Sequence, residues 1–320
     1  MRSTGTNTIR LLLVIAALVL PVAACGGGDN GGGGGGGGGG GKLAGKTFTV
    51  GSKEFTEQLI LGQITKQVLE ANGAKVKDQI GLAGTVVARK ALTSGEIDMY
   101  WEYTGTGWIT HLGKTKPIPD PQKQYEAVAK EDEAKNGIVW LDPAPANNTY
   151  ALAVRSEDKD KLGVDALSDL ASFVKDRPQD ATLCIGTEFA TRDDGLPGVE
   201  KAYGFEWPKN GLKKMQEGVI YQQLDKGACN FGEVFQTDGR IAALDLALVE
   251  DDKHFFPIYN PALNVRKDVL DKSPMLRDIF AGVAEKLDTE TLQKLNAEVD
   301  VDGVPEDEVA KKWLEDQGLV

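Results

Sequence analysis

Few side chains in this sequence could do covalent chemistry. There are two histidines, His111 and His254. A His-rich zinc site is therefore excluded, and a Ser-His or Cys-His centre would depend on one of these two. Neither histidine sits in a recognisable partner pattern, so both are expected to be structural. The sequence has no G-x-S-x-G, no G-x-x-x-x-G-K-[ST], no H-E-x-x-H and no EF-hand loop. A G-x-G-x-x-G stretch exists only inside a glycine run, outside any strand-to-helix turn. Asp and Glu number 48, so some pair would always resemble an acid/base couple. What stands out is a set of aromatic residues expected in loops after strands. They are Tyr100, Trp101 and Tyr103 before Thr104-Gly105-Thr106, then Tyr150, Phe235 and Tyr259. Aromatics on loops beside glycine and threonine are not typical core filling. The chemistry they suit is binding rather than catalysis. Neither a cofactor nor a metal is expected.

These residues need a scaffold, and the chain alternates strand and helix signals from Lys46. Thr47-Phe48-Thr49-Val50 reads as a strand. Thr56 is the expected cap of a helix running to Asn72, with Leu59, Ile60, Ile64, Val68 and Leu69 at helical spacing and Gly73 as stop. Lys75 to Ile80 reads as a strand, Thr85 to Ser94 as a helix ended by Gly95, and Ile97 to Tyr100 as a third strand. This βαβαβ order predicts a mainly parallel, doubly wound α/β sheet. Pro117 to Pro121 form a turn before a polar helix ending near Asn136. A second α/β set begins near Thr149, with a strand to Val154, a helix over Leu167–Val174 and a strand over Thr182–Ile185. Helices follow around Val199 and over Val219–Leu224. Beyond Phe255 the chain turns mostly helical, from about Met275. Two such lobes predict a bilobed clamp with its ligand at strand ends between them.

The length, 320 residues, suits one large or two modest domains. Apolar residues at 41% and charged residues at 26% are globular values. The net charge is −12, and no basic block offsets it, so a phosphate-tracking nucleic-acid protein is excluded. The first 24 residues look like an export signal. Arg2 and Arg10 precede a short apolar run, Leu11 to Leu20, and small residues lead to Cys25. Removing them removes two arginines and no acid, leaving 34 basic against 48 acidic residues and a charge of −14. Val22-Ala23-Ala24-Cys25 resembles the bacterial lipoprotein box, which implies cleavage before Cys25 and lipidation of its thiol. Residues 25–45 are then a glycine-rich tether. The 17 residues from Cys25 to Gly41 reach roughly 20–25 Å as a flexible coil. Cys184 and Cys229, an even pair in an exported protein, are expected to form a disulfide worth about 3–4 kcal/mol.

Five segments, taken in order, resemble one family. They are Gly51-Ser52-Lys53-Glu54-Phe55-Thr56-Glu57-Gln58; Ser94-Gly95-Glu96-Ile97-Asp98 leading to Glu102-Tyr103-Thr104-Gly105-Thr106; Asn148-Thr149-Tyr150-Ala151; Thr237-Asp238-Gly239-Arg240; and Phe255-Phe256-Pro257. Together they look like the substrate-binding lipoproteins of ABC importers for glycine betaine, choline and related osmoprotectants. The resemblance covers about residues 46–318. It implies a periplasmic-binding-protein-like (type II) clamp, with lobe one over 46–149 plus 255–320 and lobe two over 150–254. It also implies a monomer outside the cell membrane, held there by its lipid, that delivers ligand to a permease and, through it, an ATPase.

The ligand class explains the residues that the resemblance singles out. A trimethylammonium group has no N–H to direct a hydrogen bond, so aromatic faces must hold it, each worth about 0.5–2 kcal/mol. The family's cage maps onto Tyr103, Tyr150, Phe235 and Tyr259. Tyrosine is the family's usual residue where Phe235 stands; Phe keeps the face and loses the hydroxyl. A betaine carboxylate maps onto Lys53, Thr106 and Arg192, with Arg192 offering two parallel N–H donors. Lys53, Tyr103 and Tyr259 are expected on lobe one, and Arg192 and Phe235 on lobe two. Tyr150 is expected at the hinge or on lobe two. Glu102 either complements the cation or faces solvent. Trp101 and Trp108 either line the cleft or fill the core, and Asp238 with Arg240 reads as a loop-fixing pair. A betaine is preferred over choline because of Lys53 and Arg192. Two alternatives stand: the same fold binding an amino acid or other zwitterion, favoured if Glu102 faces the cleft, and an extracytoplasmic enzyme.

Overall fold

The computed structural model describes residues 41–320; the expected export signal, Cys25 and most of the tether lie outside the described residues. Ten strands form two five-stranded sheets. They are β1 (Thr47–Lys53), β2 (Lys75–Leu82), β3 (Met99–Tyr103), β4 (Ile138–Pro143), β5 (Tyr150–Arg155), β6 (Leu183–Ile185), β7 (Leu212–Lys214), β8 (Phe231–Phe235), β9 (Leu246–Val249) and β10 (Pro261–Arg266). The first sheet runs β2-β1-β3-β10-β4 and the second β7-β6-β8-β5-β9. Helices pack on both, giving a bilobed α/β molecule. Among the described residues no helix is long and apolar enough to cross a membrane.

The expected mainly parallel sheet is corrected to a mixed one. β1 runs parallel to β2 and β3, but β10 lies antiparallel between β3 and β4. In the second sheet β6 is parallel to β7 and β8, while β5 is antiparallel to β8 and β9. The cause is the chain path. It leaves the first sheet after β4, builds the whole second sheet, and returns to insert β10. Two segments therefore join the sheets, and hydrogen bonds zip them together. Asn148 N donates to Tyr259 O at 3.1 Å, Tyr259 N to Asn147 Oδ1 at 2.8 Å, and Asn260 Nδ2 to Ala146 O at 2.8 Å.

The helix Thr56–Ala71 shows how the first core forms. Ile60, Leu61, Ile64, Val68 and Leu69 recur on one face and are buried against β1. Each of these fully buried side chains contributes about 1.5–3 kcal/mol. Phe280 and Trp313 of the C-terminal helices close the same core. Thr56 is not the cap. Phe55 holds that position, and the Thr56 hydroxyl donates instead to Asp300 at 2.7 Å. Gly95 ends the helix Gly84–Ser94 in the left-handed region, at φ 80°, which costs glycine nothing. The second core gathers Leu152, Val154, Leu183, Ile185 and Phe231. Cys184 and Cys229 are joined by a disulfide, linking β6 to the residues just before β8.

Candidate functional site

Strand ends deliver the aromatic residues. Tyr103 is the last residue of β3 and pairs with Pro261, so Tyr259 lies two residues before the partner strand. Tyr150, the first residue of β5, stands opposite Phe235, the last of β8. All were expected in loops; Tyr259 lies in one, whereas Tyr103, Tyr150 and Phe235 end or begin strands. The difference matters, because a strand end holds its side chain more firmly than a loop tip does. Tyr100 and Trp101 lie within β3 and are core, not site: both are essentially unexposed. Trp108 is half-buried against the first lobe, with its indole N–H on Lys116 O.

The rings form a continuous arc. Tyr150 lies 5.1 Å from Phe235 and 5.5 Å from Tyr259 between centroids. Phe55, between β1 and the helix Thr56–Ala71, bridges Phe235 at 5.5 Å and Tyr103 at 6.3 Å. Phe189 and Phe256 back Tyr150 from behind. Phe55 was not singled out in the sequence, although it lies inside the first quoted segment. Its signal was position, since it lies two residues after the lysine that ends β1 and just before the helix. Gly105 makes room for the arc: a Cβ there would lie 2.7 Å from the Tyr259 ring. Tyr103 and Tyr259 are anchored through their hydroxyls, which donate to Glu57 and Asp194 at 2.8 and 2.7 Å.

Lys53, Tyr103, Thr106, Tyr150, Arg192, Phe235 and Tyr259 all line one cavity of about 40 Å³. That volume is on the order of three water positions, so the rings stand close together in this conformation. Arg192 grips Asp194 through two bonds, Nε to Oδ1 at 2.8 Å and Nη2 to Oδ2 at 2.5 Å. It also reaches Glu188 at 3.2 Å and, across the cleft, the Thr106 hydroxyl at 3.3 Å. Glu188 in turn accepts from Thr85 N at 2.6 Å, at the start of the helix Gly84–Ser94 on the first lobe. An anion there meets the positive end of the helix dipole.

Lys53 is not the free point charge expected of it. It is 4% exposed and its ammonium lies 2.7 Å from Glu102 Oε1. Glu102 is fully buried and also accepts from the Tyr100 hydroxyl, from His111 and from Tyr103 N. Burial alone would push its carboxyl up. The Lys53 ammonium and the His111 hydrogen bond outweigh burial and hold it well below the usual carboxylate range. Glu102 therefore neither faces solvent nor meets the cavity. His111, expected to be unpartnered, is a member of this buried network, and burial pushes its pKa down against the pull of Glu102. Lys53 also sits 5.2 Å from the Tyr103 ring centre, so the network fixes one wall of the arc. Asp238 and Arg240 do pair, with Nε to Oδ1 at 2.9 Å.

The remaining wall is acidic. Glu54, Glu188 and Glu217 line the cavity alongside the two cations. Burial, then the neighbouring Glu188 charge, pushes the Glu217 carboxyl up. Burial, then the Glu217 charge, does the same to Glu233 behind it. Neither Glu188 nor Glu217 carried any sequence signal, because 48 acids hide them. With Lys53 compensated by Glu102 and Arg192 by Asp194, the surplus carboxylates leave a field that favours a cation.

Comparison with known proteins points the same way. Residues 46–316 match the family described as the substrate binding domain of ABC-type glycine betaine transport systems. The glycine-betaine-binding protein of Pseudomonas aeruginosa is 37% identical over 280 residues, which are 86% of this chain and 89% of that one. The glycine betaine-binding protein YehZ of Escherichia coli is 37% identical over 281 residues, 86% of this chain and 92% of that one. The solved apo form of YehZ from that organism superposes with a TM-score of 0.63 at 36% identity, covering 86% of this chain and 99% of that one. The chain belongs to the family of substrate-binding domains of ABC-type glycine betaine transport systems.

Proposed function

We propose that this protein captures a carboxylate-bearing quaternary ammonium solute of the glycine betaine type and hands it to an ABC permease. The carrying observation is the convergence, in one cavity, of rings and an arginine drawn from both sheets. Tyr103, Tyr150, Phe235 and Tyr259, with Phe55 added, hold the trimethylammonium group. Four or five faces at about 0.5–2 kcal/mol each supply much of the roughly −8 kcal/mol that micromolar binding needs. Arg192 and Thr106 receive the carboxylate, and Lys53, paired with Glu102, holds the wall beside Tyr103. Lobe one, 46–149 with 255–320, closes on lobe two, 150–254, about the zipped connections. Ligand contacts made from both sides favour the closed form. The protein is read as a binding protein, not an enzyme, working as a monomer tethered outside the membrane through a lipid on Cys25.

Glu102 facing the cleft would have favoured the zwitterion alternative, and Glu102 is instead spent on Lys53, Tyr100 and His111. Titration calorimetry of the purified protein with glycine betaine, choline and free amino acids tests the reading. Micromolar or tighter glycine betaine binding, with weaker choline and no amino acid competition, is the expected outcome. Amino acid binding without glycine betaine binding would overturn it.

A further inference from the structure

We propose that Glu57 is a specificity-determining residue of this site: acting through the Tyr103 hydroxyl, its carboxylate deepens the negative face of the Tyr103 ring and so favours a cationic group over a neutral one of the same shape. The inference rests on the cage reading above and names what tunes the cage. Tyr103 is the last residue of β3 and lines the cage cavity. Its hydroxyl donates to Glu57 Oε1 at 2.8 Å. A phenol that donates to an anion keeps more electron density on its oxygen, and the ring shares that density. The pull between a ring face and a cation is electrostatic, so it grows with that density.

The surroundings of Glu57 suit an anion. It lies in the first turn of the helix Thr56–Ala71, where the helix dipole favours negative charge. It is 2% exposed, so little water reaches it to screen that charge. Asn148 Nδ2 donates to its Oε1 at 2.7 Å and Asn296 Nδ2 to its Oε2 at 3.1 Å. Burial pushes the carboxyl up, and hydrogen bonds from Thr237, Tyr103, Asn296 and Asn148 work against that. Among the described residues no lysine or arginine pairs with it. Tyr259 also donates to a carboxylate, but that one, Asp194, is gripped by Arg192. Lys53 lies 5.2 Å from the Tyr103 ring centre, and Glu102 already matches its charge. Phe55 and Phe235 have no hydroxyl to polarise. Tyr103 is thus the ring whose hydroxyl meets an uncompensated anion.

Glycine betaine and tert-butylacetate separate charge from shape. The second carries a carbon where the first carries the ammonium nitrogen, and both keep the carboxylate. Calorimetry on the purified protein, with tert-butylacetate measured by displacement of glycine betaine, gives the preference as a ratio of Kd values. Glu57→Gln keeps an acceptor for the Tyr103 hydroxyl and removes the charge. It should cut the preference for glycine betaine about 3- to 10-fold, inside the roughly 2- to 30-fold that a whole ring face is worth. Tyr103→Phe should cut it to a similar degree. Adding Glu57→Gln to Tyr103→Phe should then change glycine betaine affinity less than about 2-fold, because no hydroxyl remains to carry the effect. Equal weakening of both ligands by Glu57→Gln would make the residue structural and overturn the proposal. The same loss with and without the Tyr103 hydroxyl would overturn it too, by assigning the effect to the bare charge. Should Glu57→Gln fail to fold, an unchanged preference in Tyr103→Phe overturns it. An unaltered protein with no preference for glycine betaine would overturn the cage reading, and this inference with it.

Discussion

Arg192 Nη2 and Thr106 Oγ1 meet across the cleft at 3.3 Å. One belongs to the loop after β6 and the other to the turn after β3, so the contact joins the two sheets directly. Tyr259 adds a second link, donating to the same Asp194 carboxylate that orients Arg192. The ring arc and the charge network are thus mechanically coupled.

Arg192→Lys should lower glycine betaine affinity about 10- to 100-fold, although the charge is kept. A lysine lacks the planar fork that serves Asp194 and a ligand carboxylate together. Titration calorimetry measures the loss. Choline, which has no carboxylate, should lose clearly less, and an equal loss would argue against a carboxylate role.

Tyr150→Leu tests the cage by removing a π face while keeping apolar bulk. One desolvated face is worth about 0.5–2 kcal/mol, a factor of roughly 2–30. Both glycine betaine and choline should weaken by that factor. A melting temperature within a few degrees of the unaltered protein would show that the loss belongs to the ligand contact.

Gly105→Ala places a methyl 2.7 Å from Cδ1 and Cε1 of Tyr259. The ring must shift, because the neighbouring backbone leaves Tyr259 little alternative. Affinity is expected to fall at least about 10-fold, since misplaced contacts lose most of their value. Intrinsic tyrosine fluorescence and calorimetry on the same sample would reveal the shift and its cost.

Stability should decline as pH rises through neutrality. Burial, with the Glu217 charge second, pushes the Glu233 carboxyl up to about 8 from its ordinary 4.5. The folded form therefore holds its proton more tightly than the unfolded form does. The stability this confers is complete below about pH 4.5 and is lost as pH climbs towards 8. Glu233→Gln should flatten that part of the profile, seen as melting temperature against pH. A slope unchanged by the substitution would assign the decline to other groups.

Much of the scaffold was legible. The helices Thr56–Ala71 and Gly84–Ser94 follow from apolar spacing and from the glycines behind them. β1, β2 and β5 follow from short β-branched and apolar runs bounded by turns. β10 was missed because Pro261 and Asn264 interrupt its pattern, and Asn264 is nonetheless wholly buried. A strand buried on both faces has no alternation to read. Missing it also hid the mixed character of the first sheet.

What the sequence by itself determined is the inventory: which rings, which cations, and the order in which a βαβ scaffold would present them. It also determined family membership, because ordered segments survive where single residues do not. Tertiary structure alone decided the partners. Glu102 lies 49 residues from Lys53 in the chain, and Arg192 lies 86 from Thr106. Nothing local tells a buried carboxylate from a solvated one among 48 acids. Only the fold shows that Lys53 is already neutralised, that Phe55 closes the arc, and that Glu217 lines a second cavity. The physical reason is that desolvation and pairing are properties of a neighbourhood, and the neighbourhood is assembled from segments far apart in the chain.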